Sequence, residues 1–316
     1  MPPTPATRGL RPPTPPARSA AGPLAAATAA GALVLAAPAA AQGQDAAAAP
    51  SPLEEIEGVL AVRDVDYVPG EAYADGRDLL DVFMPEGRAG VPVVVFFHGG
   101  ELRYGSKASG EALAARLLPM GIGVVSANYR LSPPFVHPAH VQDASTAVAW
   151  VLDHIAEYGG DPANVYVSGH SAGAYLAALM AVDERWLGER GVERSRIRGW
   201  IPISPFLYVE ETARDRPKVV WGEDPADWLA ASVAPYVGPD DGRWLIVYAD
   251  GDADWRKAQN ERFAAELHAA ENHDVTIVQV PGRTHTSLMT AMGDPDDRIG
   301  ELIRQFVGAP PTGHAH

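Results

Sequence analysis

The sequence predicts an α/β protein: a mostly parallel, eight-stranded sheet with helices on both faces. Three observations predict it. Apolar or alternating runs of strand length recur eight times between residues 58 and 282, most of them from the third onward are separated by helical patterns, and several are continuously apolar, as strands buried on both faces must be. The runs are GVLAVRDVDYV (58–68), LLDVFMP (79–85), VPVVVFFHG (91–99), GIGVVSANYR (121–130), NVYVSG (164–169), IRGWIPIS (197–204), RWLIVYAD (243–250) and VTIVQVPG (275–282). EALAARLLPM follows the third run, DASTAVAWVLDHIAEYGG the fourth, SAGAYLAALMA the fifth and AQNERFAAELHAA the seventh. The two opening runs read as antiparallel. In open sheets of this kind ligands sit beyond the carboxyl ends of the strands, so the loops there are where chemistry is expected.

The rest of the chain bounds that reading. With 316 residues, 47% of them hydrophobic, it can bury one large core, and no internal repeat or second low-complexity linker divides it. Residues 1–50 are rich in Pro and Ala and carry Arg8, Arg11 and Arg18 but no acid before Asp45. Leu24 to Ala37 forms an apolar stretch too short to span a bilayer, and Ala39-Ala40-Ala41 before Gln42 suits a small-residue cleavage site. The expectation is a signal peptide over 1–41, a linker over 42–55, one domain over 56–308 and a tail over 309–316, with the protein exported to a periplasm or beyond. Removing 1–41 takes the formal charge from −15 to −18, because it removes three arginines and no acid. Such a chain repels nucleic acid and anionic membrane surfaces, so neither is expected as a partner; oligomeric state is left open. The absence of cysteine excludes disulfides and a lipid-anchor cysteine.

The most informative stretch is NVYVSGHSAGAYLAALMA, residues 164–181, which changes from a β-branched run to an Ala/Leu-rich helix at Ser171. A strand that turns at once into a helix holds the residue at the joint in a strained conformation and needs nearly side-chain-free neighbours at two positions on either side. Gly169 and Gly173 meet that need. The turn would raise the Ser171 hydroxyl above the sheet, at the positive end of the helix that starts with Ala172. An incidental serine in a glycine-rich turn is the competing reading, and it is decided by whether the partners of a nucleophile are also present.

A serine hydroxyl needs a base, a carboxylate to orient the base, and donors for an oxyanion. The base is expected after the last strand, where VPGRTHTSL supplies His285. The other nine histidines lie in the tail, within helices, in a Pro-rich approach to a helix, before a strand, or, as His170, inside the turn itself. For the carboxylate, ADGDADW offers Asp250, Asp252 and Asp254 after the seventh run. Asp252 is preferred because it lies one tight turn beyond the strand, Asp250 is second, and Asp254 suits a helix cap. The three acids also resemble the start of a calcium loop, with Glu261 at the twelfth position, but the sixth position is Trp255 where glycine is required, so no metal is expected. Donors are expected from the amides of Gly99, Gly100 and Ala172, the first two in His98-Gly99-Gly100 at the end of the third run.

With these pieces placed, the chain resembles the α/β-hydrolase superfamily, and within it the esterase/lipase group related to hormone-sensitive lipase and to kynurenine-formamidase-like and feruloyl-esterase-like carboxylesterases. The resemblance is carried by HGGELRYGSK, SANYRLSPP, HPAHVQDASTAVAWV, GGDPANVYVSGHSAG, LIVYADGDAD and PGRTHTSL, which together cover most of residues 78–288. It implies an α/β-hydrolase fold with Ser171 as nucleophile, Asp252 and His285 completing a triad, and Gly99, Gly100 and Ala172 as an oxyanion hole. It also implies a small-molecule ester as substrate, and the proposed chemistry needs no cofactor. The sequence departs from the pattern at Glu101, where a third glycine is common, and at Ser132-Pro133-Pro134, where a proline and an acid usually follow the tyrosine-arginine pair.

Residues 204–243 form the one long excursion after Ser171, leaving the sheet from the ligand side. Its Tyr208, Trp221 and Trp228, with Glu101, are the candidate substrate-binding residues; the alternative is that the aromatics only anchor the excursion. Its many acids suit a short cap rather than a lid that opens on an oil surface. The expected function is hydrolysis of short-chain or compact aromatic esters. An arylformamidase, an exported serine peptidase and a non-enzymatic binding protein on the same scaffold are the alternatives.

Overall fold

The computed structural model describes residues 51–309 except 55, 69, 71–72, 213–215, 240, 293 and 295–296. The expected signal peptide, most of the linker and residues 310–316 of the tail lie outside the described residues. The chain divides into residues 1–48 and 49–316, and the fold is that of the second unit.

All eight expected strands form: β1 (Val59–Asp66), β2 (Leu79–Pro85), β3 (Val91–Phe97), β4 (Gly123–Ala127), β5 (Gly160–His170), β6 (Ile197–Ile203), β7 (Trp244–Ala249) and β8 (Val275–Val280). They make one sheet in the order β1-β2-β4-β3-β5-β6-β7-β8. Pairing is antiparallel between β1 and β2 and between β2 and β4, and parallel elsewhere. The helices are α1 (Gly110–Leu117), α2 (Ala139–His154), α3 (Ala172–Val182), α4 (Arg185–Gly188), α5 (Arg216–Trp221), α6 (Pro225–Ala231), α7 (Asp254–Ala269), α8 (Ser287–Thr290) and α9 (Ile299–Val307).

The strand period of two sorts the core into two layers. Val93, Val95 and Phe97 of β3 face a cluster shared with α2, α3 and α7, while Val94 and Phe96 face a second cluster built with α1 and α9. The helix α9 is amphipathic, with Ile299, Ile303, Phe306 and Val307 buried, and the sequence reading had no element there. Edge strand β1 is blunted by a bulge between Val62 and Val65 and by Arg63, Asp64 and Asp66, which disfavours pairing with another chain. Among the described residues no helix is long and apolar enough to cross a membrane.

The centre of the fold is the passage of α3 over the ends of β3 and β5. All eleven residues of α3 are buried. A Cβ on Gly169 would fall on the Gly173 backbone, and one on Gly173 would fall on the carbonyl oxygen of Phe97. Backbone thus packs on backbone at this crossing, which only glycine permits. Gly173→Ala should therefore cost about 3 kcal/mol, at the upper end for overpacking because no flexible side chain can yield. Urea unfolding measures it, and a loss below about 1 kcal/mol would show that α3 can lift from the sheet at little cost.

Candidate active site

Ser171 links β5 to α3 with φ 54° and ψ −110°, a left-handed conformation that is costly for a residue with a side chain. Two bonds hold it there: its amide donates to the carbonyl of Ile203 at 2.9 Å, and its own carbonyl accepts the amide of Tyr175 at 3.0 Å in the first turn of α3. Ser171 is buried, and among the described residues no hydrogen bond to its hydroxyl is found.

The loop after β3 lies directly against this turn. A Cβ on Gly99 would stand 2.9 Å from His170 Nδ1 and 3.3 Å from Ser171 Cβ, so the Gly99 backbone lies over the serine only because it carries no side chain. Gly100 has φ 116°, and its carbonyl accepts the amides of Arg103 and Tyr104 at 2.9 and 2.8 Å, which closes the loop into a tight turn. Underneath, His98 stacks on Tyr129 at 4.3 Å, and the Tyr129 hydroxyl donates to the His98 carbonyl at 2.7 Å. The amides of Gly99, Gly100 and Ala172 donate to no other described residue; the Gly99 backbone lies against Ser171 and Ala172 follows it in the chain.

His285 lies in the loop after β8, and its Nδ1 is 2.8 Å from Asp252 Oδ1. Asp252, in the loop after β7, is buried; its Oδ2 also accepts the amide of Ala249 at 2.8 Å and the hydroxyl of Ser204 at 2.8 Å. Burial alone would raise the Asp252 carboxyl, but the bonds from His285, the Ala249 amide and Ser204 outweigh it and hold the group below its ordinary value. The two loops are tied together independently by Asp250, which is exposed and accepts the amides of Gly282 and Arg283 at 2.9 and 3.1 Å. Asp254 pairs with Lys257 at 3.0 Å. It is the first residue of α7 rather than its cap, since Ala253 occupies the cap position without a side-chain bond.

Three further residues belong to this site: His170, which the sequence sets aside as a base, and Ser204 and Arg256, to which it assigns no role. His170 donates from Nε2 to the carbonyl of His285 at 2.9 Å, and the two rings lie 4.6 Å apart. Ser204, at the end of β6, reaches both Asp252 and His285. Arg256 of α7 donates to the Ser204 carbonyl at 2.8 Å and stands 3.8 Å from Asp252. Ser204 had a signal, a lone hydroxyl at the carboxyl end of the apolar strand IRGWIPIS on the ligand side of the sheet; Arg256 had none, because the carbonyl it binds, that of Ser204, comes from another loop. No hydrogen bond joins Ser171 Oγ to His285 in this structure, although the His170 ring bridges their two loops.

The candidate substrate-binding residues are placed differently from one another. Glu101 has φ 60° and lies 4.0 Å from the Arg103 guanidinium, about half exposed. Tyr208 is buried, donates to Glu266 at 2.8 Å and carries the Arg262 guanidinium 3.4 Å over its ring. Trp221 is buried edge-on to Tyr175 of α3 and to Phe206, whose ring stacks on Tyr175 at 4.7 Å. Trp228 is half-buried and donates to the Gly222 carbonyl at 2.9 Å. These bonds and ring contacts fasten the excursion, which carries α5 and α6, to α3 and α7, and none of them reaches Ser171, Asp252 or His285.

Burial pushes four histidines down: His98 and His137 to about 4, and His140 and His170 to about 3, with His170 lowered further by its neighbour His285. Each ring is neutral in the fold and gains its proton at a higher pH in the unfolded chain, so the unfolded state binds more protons between those values and about 6.5. Stability is fully present above about pH 6.5 and is lost as pH falls, by up to about tenfold in the folding constant per pH unit for each ring. Urea midpoints between pH 7.5 and 4.5 should fall steeply; a flat profile would mean that these rings take up protons without leaving the fold.

Similarity to known proteins agrees with this architecture. Residues 94–289 match the family described as the alpha/beta hydrolase fold. Esterase LipQ of Mycobacterium tuberculosis is 28% identical over 265 residues, covering 78% of this chain and 61% of that protein. Isoprenylcysteine alpha-carbonyl methylesterase ICME of Arabidopsis thaliana is 38% identical over 258 residues, covering 72% of this chain and 58% of that protein. The chain thus spans about three fifths of the length of these relatives. A truncated carbohydrate esterase from gut microbiota superposes with a TM-score of 0.68 at 20% identity, covering 79% of this chain and 95% of the other, a likeness of fold. From the match over residues 94–289, together with the sheet order and the strand-to-helix turn at Ser171, the chain belongs to the alpha/beta hydrolase fold family.

Proposed function

We propose that the protein is a serine carboxylic-ester hydrolase, with Ser171 as nucleophile, His285 as base, Asp252 as its orienting carboxylate, and the amides of Gly99, Gly100 and Ala172 as oxyanion donors. The observation that carries the reading is the bond of Asp252 to His285 Nδ1, between the loops after β7 and β8, the second of which His170 ties to the Ser171 turn. In the first step His285 Nε2 takes the proton of Ser171 as the oxygen attacks the ester carbonyl; the amides bind the oxyanion, and the alcohol leaves with the proton from the imidazolium. Water then repeats the sequence on the acyl-enzyme and releases the acid. The hydroxyl-to-imidazole bond is one that commonly tightens only when substrate fills the site. The esterase and methylesterase names of the two relatives favour esters over formamides or peptides.

Ser171→Ala should lower ester turnover by on the order of 10⁶ while leaving the fold intact. Asp252→Asn should cost about 10⁴, because an amide facing Nδ1 favours the wrong tautomer. Asp250→Asn should cost about tenfold or less, since Asp250 meets only backbone amides. Steady-state kinetics on p-nitrophenyl acetate rank the three, and a larger loss at Asp250 than at Asp252 would reverse the carboxylate assignment.

The substrate class rests on the excursion. Its aromatics pack inward and its surface carries Glu210, Glu211, Glu223, Asp224 and Asp227, so its described residues offer no broad apolar face to an oil surface. Turnover of p-nitrophenyl esters should peak from acetate to butyrate and fall steeply by decanoate, without a jump at the solubility limit. A maximum at long chains, or interfacial activation, would make the protein a lipase. Feruloyl esters, N-formylkynurenine and dipeptidyl anilides in the same panel separate aromatic esters from formamides and peptides.

A further inference from the structure

Ser204 directly follows β6, fully buried with φ 53°, the second serine of the site in a left-handed conformation. Every polar group it has is engaged. The amide donates to the Val247 carbonyl at 2.6 Å, the carbonyl accepts from Arg256 at 2.8 Å, and Oγ lies 2.8 Å from both Asp252 Oδ2 and His285 Nδ1. A hydroxyl has one hydrogen, and an ionised carboxylate only accepts, so Oγ–H goes to Oδ2. The lone pair of Oγ then faces Nδ1, which must carry a hydrogen shared between Asp252 Oδ1 and Ser204 Oγ. Nε2 is left as the unprotonated nitrogen.

The two carboxylate oxygens therefore have separate duties. Oδ1 meets His285, while Oδ2 is held by the Ser204 hydroxyl and the Ala249 amide, so the carboxylate cannot rotate away from the imidazole without breaking both. We propose that Ser204 is a positioning residue for the His285–Asp252 pair, its hydroxyl fixing the plane of the carboxylate and holding the imidazole in the tautomer protonated at Nδ1. The other charged or titratable groups at the pair are Arg256 of α7, which lies 3.8 Å from Asp252 Oδ1, and His170 at the end of β5, which donates to the His285 carbonyl. The kinetic consequence rests on the triad reading above, whereas the tautomer consequence does not.

Two variants test the proposal in the full chain. Ser204→Ala removes the hydroxyl, and Ser204→Gly removes it while relieving the positive φ, so a fold that suffers from the backbone alone is at least as stable with glycine. Nitrogen-15 spectra of the imidazole should show His285 of the wild type protonated at Nδ1 alone, and both variants should admit the Nε2–H form or show faster exchange of the Nδ1 proton. In parallel, kcat on p-nitrophenyl acetate should fall about tenfold to a hundredfold with KM unchanged, as for loss of a hydrogen bond to a charged group. Unchanged imidazole resonances overturn the proposal, as does wild-type kcat in both variants or a change in KM alone. Labelling of Ser171 by a phosphonate separates the two readings: if the wild type is not labelled, the triad reading falls, and the imidazole resonances still decide whether Ser204 positions the pair.

Discussion

At the crossing of α3 over β3 and β5, two backbones meet without side chains between them, at Gly169, Gly173 and the Phe97 carbonyl. The helix must start within one residue of the strand end to make that crossing, which forces Ser171 into a left-handed conformation and turns its side chain out of the sheet. The same closeness brings the end of β3 beside the helix start, so that Gly99 passes over Ser171 and its amide, with those of Gly100 and Ala172, has no hydrogen-bond partner among the described residues. Strain at Ser171 is sustained by the burial of all eleven residues of α3, a stabilisation much larger than the 1–3 kcal/mol or so that such a backbone conformation costs.

Around this crossing, polar side chains do the work that strand pairing does elsewhere. The loops after β5, β6, β7 and β8 have little regular structure at their tips, yet His170, Ser204, Asp252 and Arg256 join them through bonds of 2.8–2.9 Å, and Asp250 adds two more at the exposed side. Buried polar groups are costly unless satisfied, and here the network is closed: the carboxylate of Asp252 receives donors on both oxygens, and neutral His170 spends its proton on a carbonyl. Keeping His170 neutral matters for its neighbour, because a second positive charge 4.6 Å away would oppose formation of an imidazolium at His285.

The excursion between β6 and β7 shows the same economy in apolar form. It leaves the sheet on the site side, and there Phe206 and Trp221 pack on Tyr175 of α3 while Tyr208 bonds to Glu266 of α7. A segment with two short helices and many acids has little apolar surface of its own, so its aromatics are needed to fasten it down. Tyr208 combines both forms of contact, with a hydroxyl on Glu266 and a guanidinium over its ring.

The features legible in the amino-acid order are those encoded locally or by succession along the chain. Eight strand patterns, the helices that separate them, the glycines flanking Ser171, and the positions of Asp252 and His285 after successive strands are all of this kind, and each is found in place in the fold. The short helices of the excursion, α4, α8 and α9 escaped because they are brief or held by packing more than by pattern. The long-range partners emerge only once the chain is folded. That Asp250 binds amides while Asp252 meets the imidazole, that Trp221 packs on α3, and that Ser204 and Arg256 belong to the site depends on loops 33 to 81 residues apart meeting in space. A hydroxyl or a carboxylate looks the same in sequence whether it meets water, an amide or a ring nitrogen; the sheet order and the passage of α3 over it determine which of these it finds.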